Sequence, residues 1–302
     1  MTNQSIVVVG STNTDMVIKT TKLPLPGETI LGGDFLMNPG GKGANQAVAA
    51  ARLKGNVILV AKTGEDVFGS QAKKLFQAEN LNTDFLFSDP DSPSGIALIT
   101  VDDHAENCIV VAPGANARLL KADIDLAKGA ILQSGIVLMQ LEIPLETVIY
   151  TAKLAFSAGI KVILNPAPAQ PLPDELLKML YLITPNETEA ELLTGIAVTD
   201  THTAEKAARL LLNKGVQVVI VTLGSKGALL VKGSQCQLIP AFPVQAIDTT
   251  AAGDCFNGAL AVAIAEGTDL VSAITFANKA ASISVTRMGA QASAPYRVEV
   301  ES

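Results

Sequence analysis

The residues most able to do chemistry lie in "AIDTTAAGDCFNGAL" (246–260), where Asp248 and Asp254 bracket a run of small residues ahead of an apolar stretch. A helix starting near Asp254 leaves its first backbone N–H groups unpaired and turns its positive dipole end to the loop. Those donors make an anion hole. Ala251, Ala252 and Gly253 add no bulk there, so a phosphoryl group could approach the backbone while Asp254 accepts the proton of an attacking hydroxyl. With a loose transition state that proton leaves late, so the carboxyl needs no raised pKa, and a low one at a helix start suits the role. A carboxylate at a helix start is commonly only a cap, but that reading leaves the small residues unexplained. Cys255 has no histidine near it in sequence and reads as a small buried thiol.

Other polar groups fall at the ends of apolar runs. "NPGGKGANQAVAAARL" (38–53) is a glycine-rich loop entering an alanine-rich helix. Backbone donors of Gly40 and Gly41, the Lys42 ammonium and the Asn45 amide would converge on a polyhydroxyl ligand or an anion, unless the glycines serve only close packing. Asn13 and Asp15 follow the first apolar run and suit vicinal hydroxyls, although both are also ordinary turn residues. In "TPNETEAELLTG" (184–195), Asn186 can cap a helix whose dipole Glu187 and Glu189 complement. The alternative is that Asn186 and Glu189 orient water on a magnesium ion accompanying a nucleotide. "TLGSKGALL" (222–230) is either a plain hairpin or a set of backbone donors for phosphate or ribose oxygens.

Several chemistries drop out. His104 and His202 are the two histidines, in unrelated contexts, which argues against Ser-His-Asp, Cys-His and histidine-built metal sites. Gly43 stands where a phosphate-binding GxxxxGK[ST] loop needs Ser or Thr, and no GxGxxG follows Val9. Cys108, Cys236 and Cys255 form no CxxC pair and read as reduced thiols. A net charge of −7 argues against nucleic acid as a partner. No apolar window is long enough for a membrane span, and residues 1–5 lack the pattern of a signal peptide, so a cytoplasmic protein is expected.

These groups need a scaffold. Strand-like runs at 5–10, 56–61, 135–140, 161–166, 181–186 and 216–224 alternate with helical patterns at 42–54, 66–80, 145–158 and 203–214. Buried strands separated by helices predict an α/β fold with a mostly parallel sheet covered on both faces. Residues 11–37 and 94–111 break the rhythm and read as antiparallel strands of a small β-sheet lid over the carboxyl edge, where open α/β sheets bind ligands. With no repeat or linker, 302 residues that are 48% hydrophobic make one domain with a lid inserted into it.

In order and spacing, "GSTNTD", "GGKGANQAVAAARL", "LMQLEIPLETV", "NPAPA", "ITPNETEAELLTG", "TLGSKG", "DTTAAGDCFNGAL" and "TRMGAQ" resemble the ribokinase family of carbohydrate kinases over essentially the whole chain. The resemblance implies a three-layer sandwich with a lid, and ATP-dependent phosphorylation of D-ribose at its 5-hydroxyl. It implies a sugar held by Asn13, Asp15, Gly40, Gly41, Lys42, Asn45 and Glu142, with Asp254 as the base. ATP would lie over Asn186, Thr222, Gly224 and Gly227, with Asn278 near the adenine and the amides of Ala252, Gly253 and Asp254 facing the γ-phosphate. Glu189 would act through water on Mg2+. A monovalent cation, K+, would be bound by Asp248 and oxygens near Thr250, Ser284, Arg287, Gly289 and Ser293. The lid would pair with that of a second subunit in a homodimer. The family usually has glycine where this chain has Ala251. Relatives acting on deoxyribose, fructose or nucleosides share the phosphate machinery, and a sugar-binding regulator without turnover is the rival outside enzymes.

Overall fold

Val7 and Val9 of the first strand face one way, Ile6 and Val8 the other, and all four are fully buried, so the sheet they begin is covered on both sides. The computed structural model describes residues 4–104 and 106–302. Residues 1–3, within the stretch read for a signal peptide, and residue 105, within the expected lid, lie outside the described residues.

The amino-terminal half contains β1 (Ile6–Val9), β2 (Asn13–Lys19), β3 (Phe35–Gly40), α1 (Lys42–Arg52), β4 (Val57–Gly64), α2 (Val67–Ala78), β5 (Asn82–Asp89), β6 (Gly95–Val101) and β7 (Asn107–Ala112). Then come α3 (Lys121–Gln133), β8 (Ile136–Met139), α4 (Leu145–Ser157), β9 (Lys161–Leu164), α5 (Asp174–Leu177), β10 (Leu182–Ile183), α6 (Glu187–Thr194) and α7 (Thr201–Asn213). The chain finishes with β11 (Val218–Thr222), β12 (Ala228–Lys232), β13 (Gln235–Ile239), α8 (Ala252–Ala265), α9 (Leu270–Ser284), α10 (Ala290–Ser293) and α11 (Arg297–Glu301).

Among the described residues, nine strands form the large sheet in the order β13-β12-β11-β10-β9-β8-β1-β4-β5. It is parallel from β5 to β11, and β12 and β13 add an antiparallel hairpin. Helices α1, α2, α8 and α9 pack on the face of Ile6 and Val8; α3 to α7 pack on the other. This is the α/β three-layer sandwich that the sequence predicts. The chain adds β4 and β5 on one side of β1 and then returns to place β8 on its other side, so the ends of β1 and β8 flank a topological switch point.

The stretches expected to form a lid make a second, four-stranded sheet in the order β3-β2-β6-β7. Its outer pairs are antiparallel as expected, but the central pair, β2 with β6, is parallel. Both strands leave the same edge of a parallel sheet, one after β1 and one after β5, and so run the same way. Strand β3 also continues past residue 37 to Gly40, which pairs with Asn13. A Cβ at Gly40 would lie 2.2 Å from an Asp15 carboxylate oxygen, so a side chain there would displace that carboxylate. The strand expected at 181–186 shortens to Leu182–Ile183, since Pro185 has no N–H to donate and Asn186 becomes the cap of α6. Strand β5 and helices α3 and α9 add to the sequence reading.

Helices α1 and α8 approach closely at Gly258, where a Cβ would come 2.6 Å from the Gln46 carbonyl oxygen and 2.9 Å from the Ala49 methyl. Gly258→Val is therefore expected to destabilise the chain by about 1–3 kcal/mol through forced separation of the two helices. Urea unfolding checks this as a lower midpoint at unchanged slope.

Candidate active site

Helix α8 starts at Ala252, not at Asp254, so Asp254 is its third residue. The cap expected of its side chain is absent. Its carboxylate instead turns toward α1 and accepts from Asn45 Nδ2 at one oxygen and from Gln46 Nε2 at the other, each at 2.9 Å. Burial pushes the Asp254 carboxyl above the ordinary carboxylate range, against the pull of Lys42, Gln46 and Asn45. A low value is thus not what this environment produces, and a raised one brings the group closer to the range of an effective general base.

The start of α8 has no side-chain cap. The Ala252 N–H donates to the Thr249 carbonyl at 3.2 Å, which leaves Gly253 and Asp254 as the unpaired amides among the described residues. Gly253 is exposed, and a Cβ there would meet no protein atom within 4 Å. Its bareness answers no demand of the fold. The Gly253 carbonyl is held by Asn257 Nδ2 at 2.8 Å, and Asn257 Oδ1 accepts from Thr184 Oγ1 at 2.6 Å, fixing the helix start to the end of β10.

Around Asp254 the ends of β1 and β8 bring in the polar groups expected to hold a sugar. Glu142 accepts from the Lys42 backbone N–H at 3.0 Å and from Ser11 Oγ at 2.6 Å. Asn13 accepts from Asn116 Nδ2 at 2.7 Å. Asn45 Oδ1 is buried with no protein partner, an acceptor aimed at something the chain does not supply. Lys42 lies among Asp254, Glu142, Glu189 and Asp15; burial alone would lower its pKa, but these carboxylates together raise it. Asp15 is pushed up to about 6 by burial first and then by Glu142 and Asp254. The packing reading of Gly41 also holds, for at φ 88° its Cβ would strike Asn13 N and Thr12 Cα at 2.7 Å. Ser11, Gln46, Asn116, Gln140 and Asn165 escaped the sequence reading. Gln46 carried one signal, being the second polar residue in an otherwise small and apolar "NQAVAAA".

On the far side, Asn186 caps α6 in a reciprocal pair: it accepts from the Glu189 N–H at 2.8 Å while Glu189 accepts from the Asn186 N–H at 2.9 Å. Glu189 is nonetheless buried and close enough to Lys42 and Asp254 to feel both; burial raises its carboxyl first, with Asn186 and Lys42 opposing. Thr222 ends β11 and bridges to Asn186. Gly224, at φ 55°, has open space where a Cβ would stand, whereas Gly227 is fixed by packing, its Cβ falling 2.1 Å from the Ile239 carbonyl. Asn278 is buried and spends its amide donor on the Ile239 and Pro240 carbonyls, at 3.1 Å each. It holds the segment beyond β13.

Of the residues expected to bind a monovalent cation, Asp248, Thr250 and Gly289 are joined by hydrogen bonds where 247–250 meets 285–289. Ile247 and Asp248 donate to the Val285 carbonyl, and Asp248 accepts from Thr250 N at 2.9 Å and Gly289 N at 2.8 Å. Burial works against the Asp248 charge, but the bonds from Thr250 and Gly289 outweigh it and keep the carboxyl below its usual value. The Arg287 guanidinium turns away to Glu299, and the hydroxyls of Ser284 and Ser293 donate to nearby carbonyls. Among the described residues no group of three or more His, Cys, Asp or Glu could hold a metal ion. One carboxylate amid backbone and hydroxyl oxygens suits a cation of low charge. Cys255 is buried, as expected, and burial pushes its thiol up to about 12.

Comparison with known proteins agrees with this fold. Residues 3–297 match the pfkB family of carbohydrate kinases. The ribokinase of Haemophilus influenzae is 46% identical over 98% of this chain and 97% of its own length. The crystal structure of Thermotoga maritima ribokinase has a TM-score of 0.92 at 42% identity, covering 99% of this chain and 98% of that one. Arabidopsis thaliana ribokinase complexed with ribose and ATP has a TM-score of 0.92 at 36% identity, covering 99% of this chain and 97% of that one. The chain belongs to the pfkB family of carbohydrate kinases.

Proposed function

We propose that this protein transfers the γ-phosphoryl group of ATP to the 5-hydroxyl of D-ribose, giving D-ribose 5-phosphate and ADP. The observation that carries the reading is the buried Asp254 carboxylate beside an uncapped helix start, where Gly253 leaves room that no protein atom claims. Asn13, Asp15 and Glu142 accept from sugar hydroxyls, and a further hydroxyl satisfies the orphaned Asn45 Oδ1. That orients the 5-hydroxyl toward Asp254, which takes its proton as the new P–O bond forms. The Gly253 and Asp254 amides and Lys42 stabilise charge on the transferring oxygens. Thr222, Gly224 and Gly227 border the nucleotide, next to Asn186. Glu189 would hold magnesium through water, and the ion would supply charge neutralisation at the phosphates. Asp248, Thr250, Gly289 and the oxygens of Ser284, Arg287 and Ser293 would hold potassium, whose charge would help order the turn leading into α8.

The lid covers the sugar and excludes the water that would otherwise hydrolyse ATP. It is apolar on both faces: Leu36, Ile109 and Val111 share the Asp15 face, while Met37, Leu98 and Val110 line up on the other, and all six are exposed. Closure covers the first face. The second supports pairing with the lid of another subunit in a homodimer.

A panel of ribose, 2-deoxyribose, fructose and adenosine with ATP and Mg2+ tests the assignment, and a substrate better than ribose by kcat/KM overturns it. Asp254→Asn is expected to fold normally by circular dichroism and to lose about 10²- to 10⁴-fold in kcat; near-normal turnover would remove Asp254 as the base. Protonation of Asp15 on the acid side of about pH 6 replaces an acceptor with a neutral acid, so KM for ribose is expected to rise there. Measuring KM on both sides of that pH checks it, with Asp15→Asn abolishing the inflection. Replacing K+ by tetramethylammonium is expected to lower kcat/KM about 5- to 100-fold, read in the same coupled assay.

A further inference from the structure

Gln46 lies in the same α1 turn as Asn45 but cannot meet a substrate, because it is completely buried and its amide is already engaged on every side. Its Nε2 donates to Asp254 Oδ1 at 2.9 Å and to Asn165 Oδ1 at 3.0 Å, and its Oε1 accepts from Gln140 Nε2 at 2.6 Å. Gln140 is also completely buried, and its own Oε1 has no protein partner.

The polarity of this chain follows from its end. An ionised carboxylate only accepts, so Gln46 must present nitrogen to Asp254. Its oxygen then faces Gln140, which must in turn present nitrogen and leave its oxygen orphaned in the interior. An unsatisfied buried acceptor is costly, and what it secures here is a donor aimed at Asp254. We propose that Gln46, oriented by Gln140, is a positioning residue that holds the Asp254 carboxylate in place as the proton acceptor of the transfer. This rests on the reading of Asp254 as base. Asn45 grips the other carboxylate oxygen, so two successive residues of α1 fix its rotation. The ionisable groups facing Asp254 are Lys42, Glu142, Asp15, Glu189 and the Cys255 thiol. Of these Lys42 alone is cationic, so the amide donors matter to the charged form.

The test is kcat and ribose KM against pH for the full-length enzyme with ATP, Mg2+ and K+, comparing parent, Gln46→Met and Gln140→Met. Gln46→Met is expected to move the acid limb of kcat up by about one pH unit and to lower kcat about tenfold or more. Its ribose KM should stay within about twofold. Gln140→Met should shift the same limb the same way by less. Acid limbs of both variants that superimpose on the parent's, or a loss confined to KM, overturn the proposal. If Gln46→Met does not fold, Gln140→Met decides by the same limb. A parent inactive on ribose would sink the functional reading instead. The carboxyl 13C titration of Asp254 in parent and Gln140→Met then decides the positioning role, with an unchanged midpoint counting against it.

Discussion

Everything at this site hangs on the close approach of two helices that start far apart in the chain. Helix α1 brings Lys42, Asn45 and Gln46; α8 brings Asp254 and the bare start at Gly253. Gly258 lets the helices touch at the Gln46 carbonyl, and the same turn of α1 delivers two amide donors to one carboxylate. Helix packing and the geometry of the Asp254 carboxylate are therefore one constraint. A side chain at Gly258 would move the donors as well as the core.

The charges around that contact bear on how one site, as proposed, would take two very different ligands. Asp15, Glu142, Glu189 and Asp254 surround a single lysine, so the protein on its own is rich in acceptors there. Sugar hydroxyls are donors and suit the carboxylates at the ends of β1 and β8. Phosphates are repelled by the same groups and need the other half of the site, the open amides of α8 and the Lys42 ammonium. The meeting point of the two halves is Asp254, whose carboxylate belongs to the first and whose N–H belongs to the second.

The sequence made the fold class legible, and pointed to candidate ligand-facing residues, for physical reasons. Buried parallel strands are short continuous apolar runs, and glycines beside Lys42 or ahead of Asp254 let something approach the backbone closely, which at Gly41 is the protein itself. The supports behind those residues were not legible. Gln46 lies 208 residues from Asp254 and 119 from Asn165, and Gln140 lies 94 from Gln46. An amide in an alanine-rich helix acquires its meaning only when the sheet places its partners. The parallel pairing of β2 with β6 was hidden similarly, since each strand alone reads as half of an antiparallel hairpin. Asp254 itself was read as the start of its helix, although the helix begins two residues earlier at a residue with no capping side chain.

That uncapped start has a structural consequence upstream. Ala251 sits at φ 57°, a left-handed conformation that costs a non-glycine residue about 1–2 kcal/mol. Something must hold it: Ala252 N–H donates to the Thr249 carbonyl and Cys255 N–H to that of Ala251, while Asp248 anchors the preceding residues by accepting from Thr250 N and Gly289 N. The left-handed turn carries the chain from that anchored loop into α8 without a side-chain cap, so the Gly253 and Asp254 amides stay free. Glycine at 251 would adopt the turn at less cost, but it would also leave the loop freer to abandon it. With alanine there, the free amides at the start of α8 depend on the loop that Asp248 holds to Thr250 and Gly289.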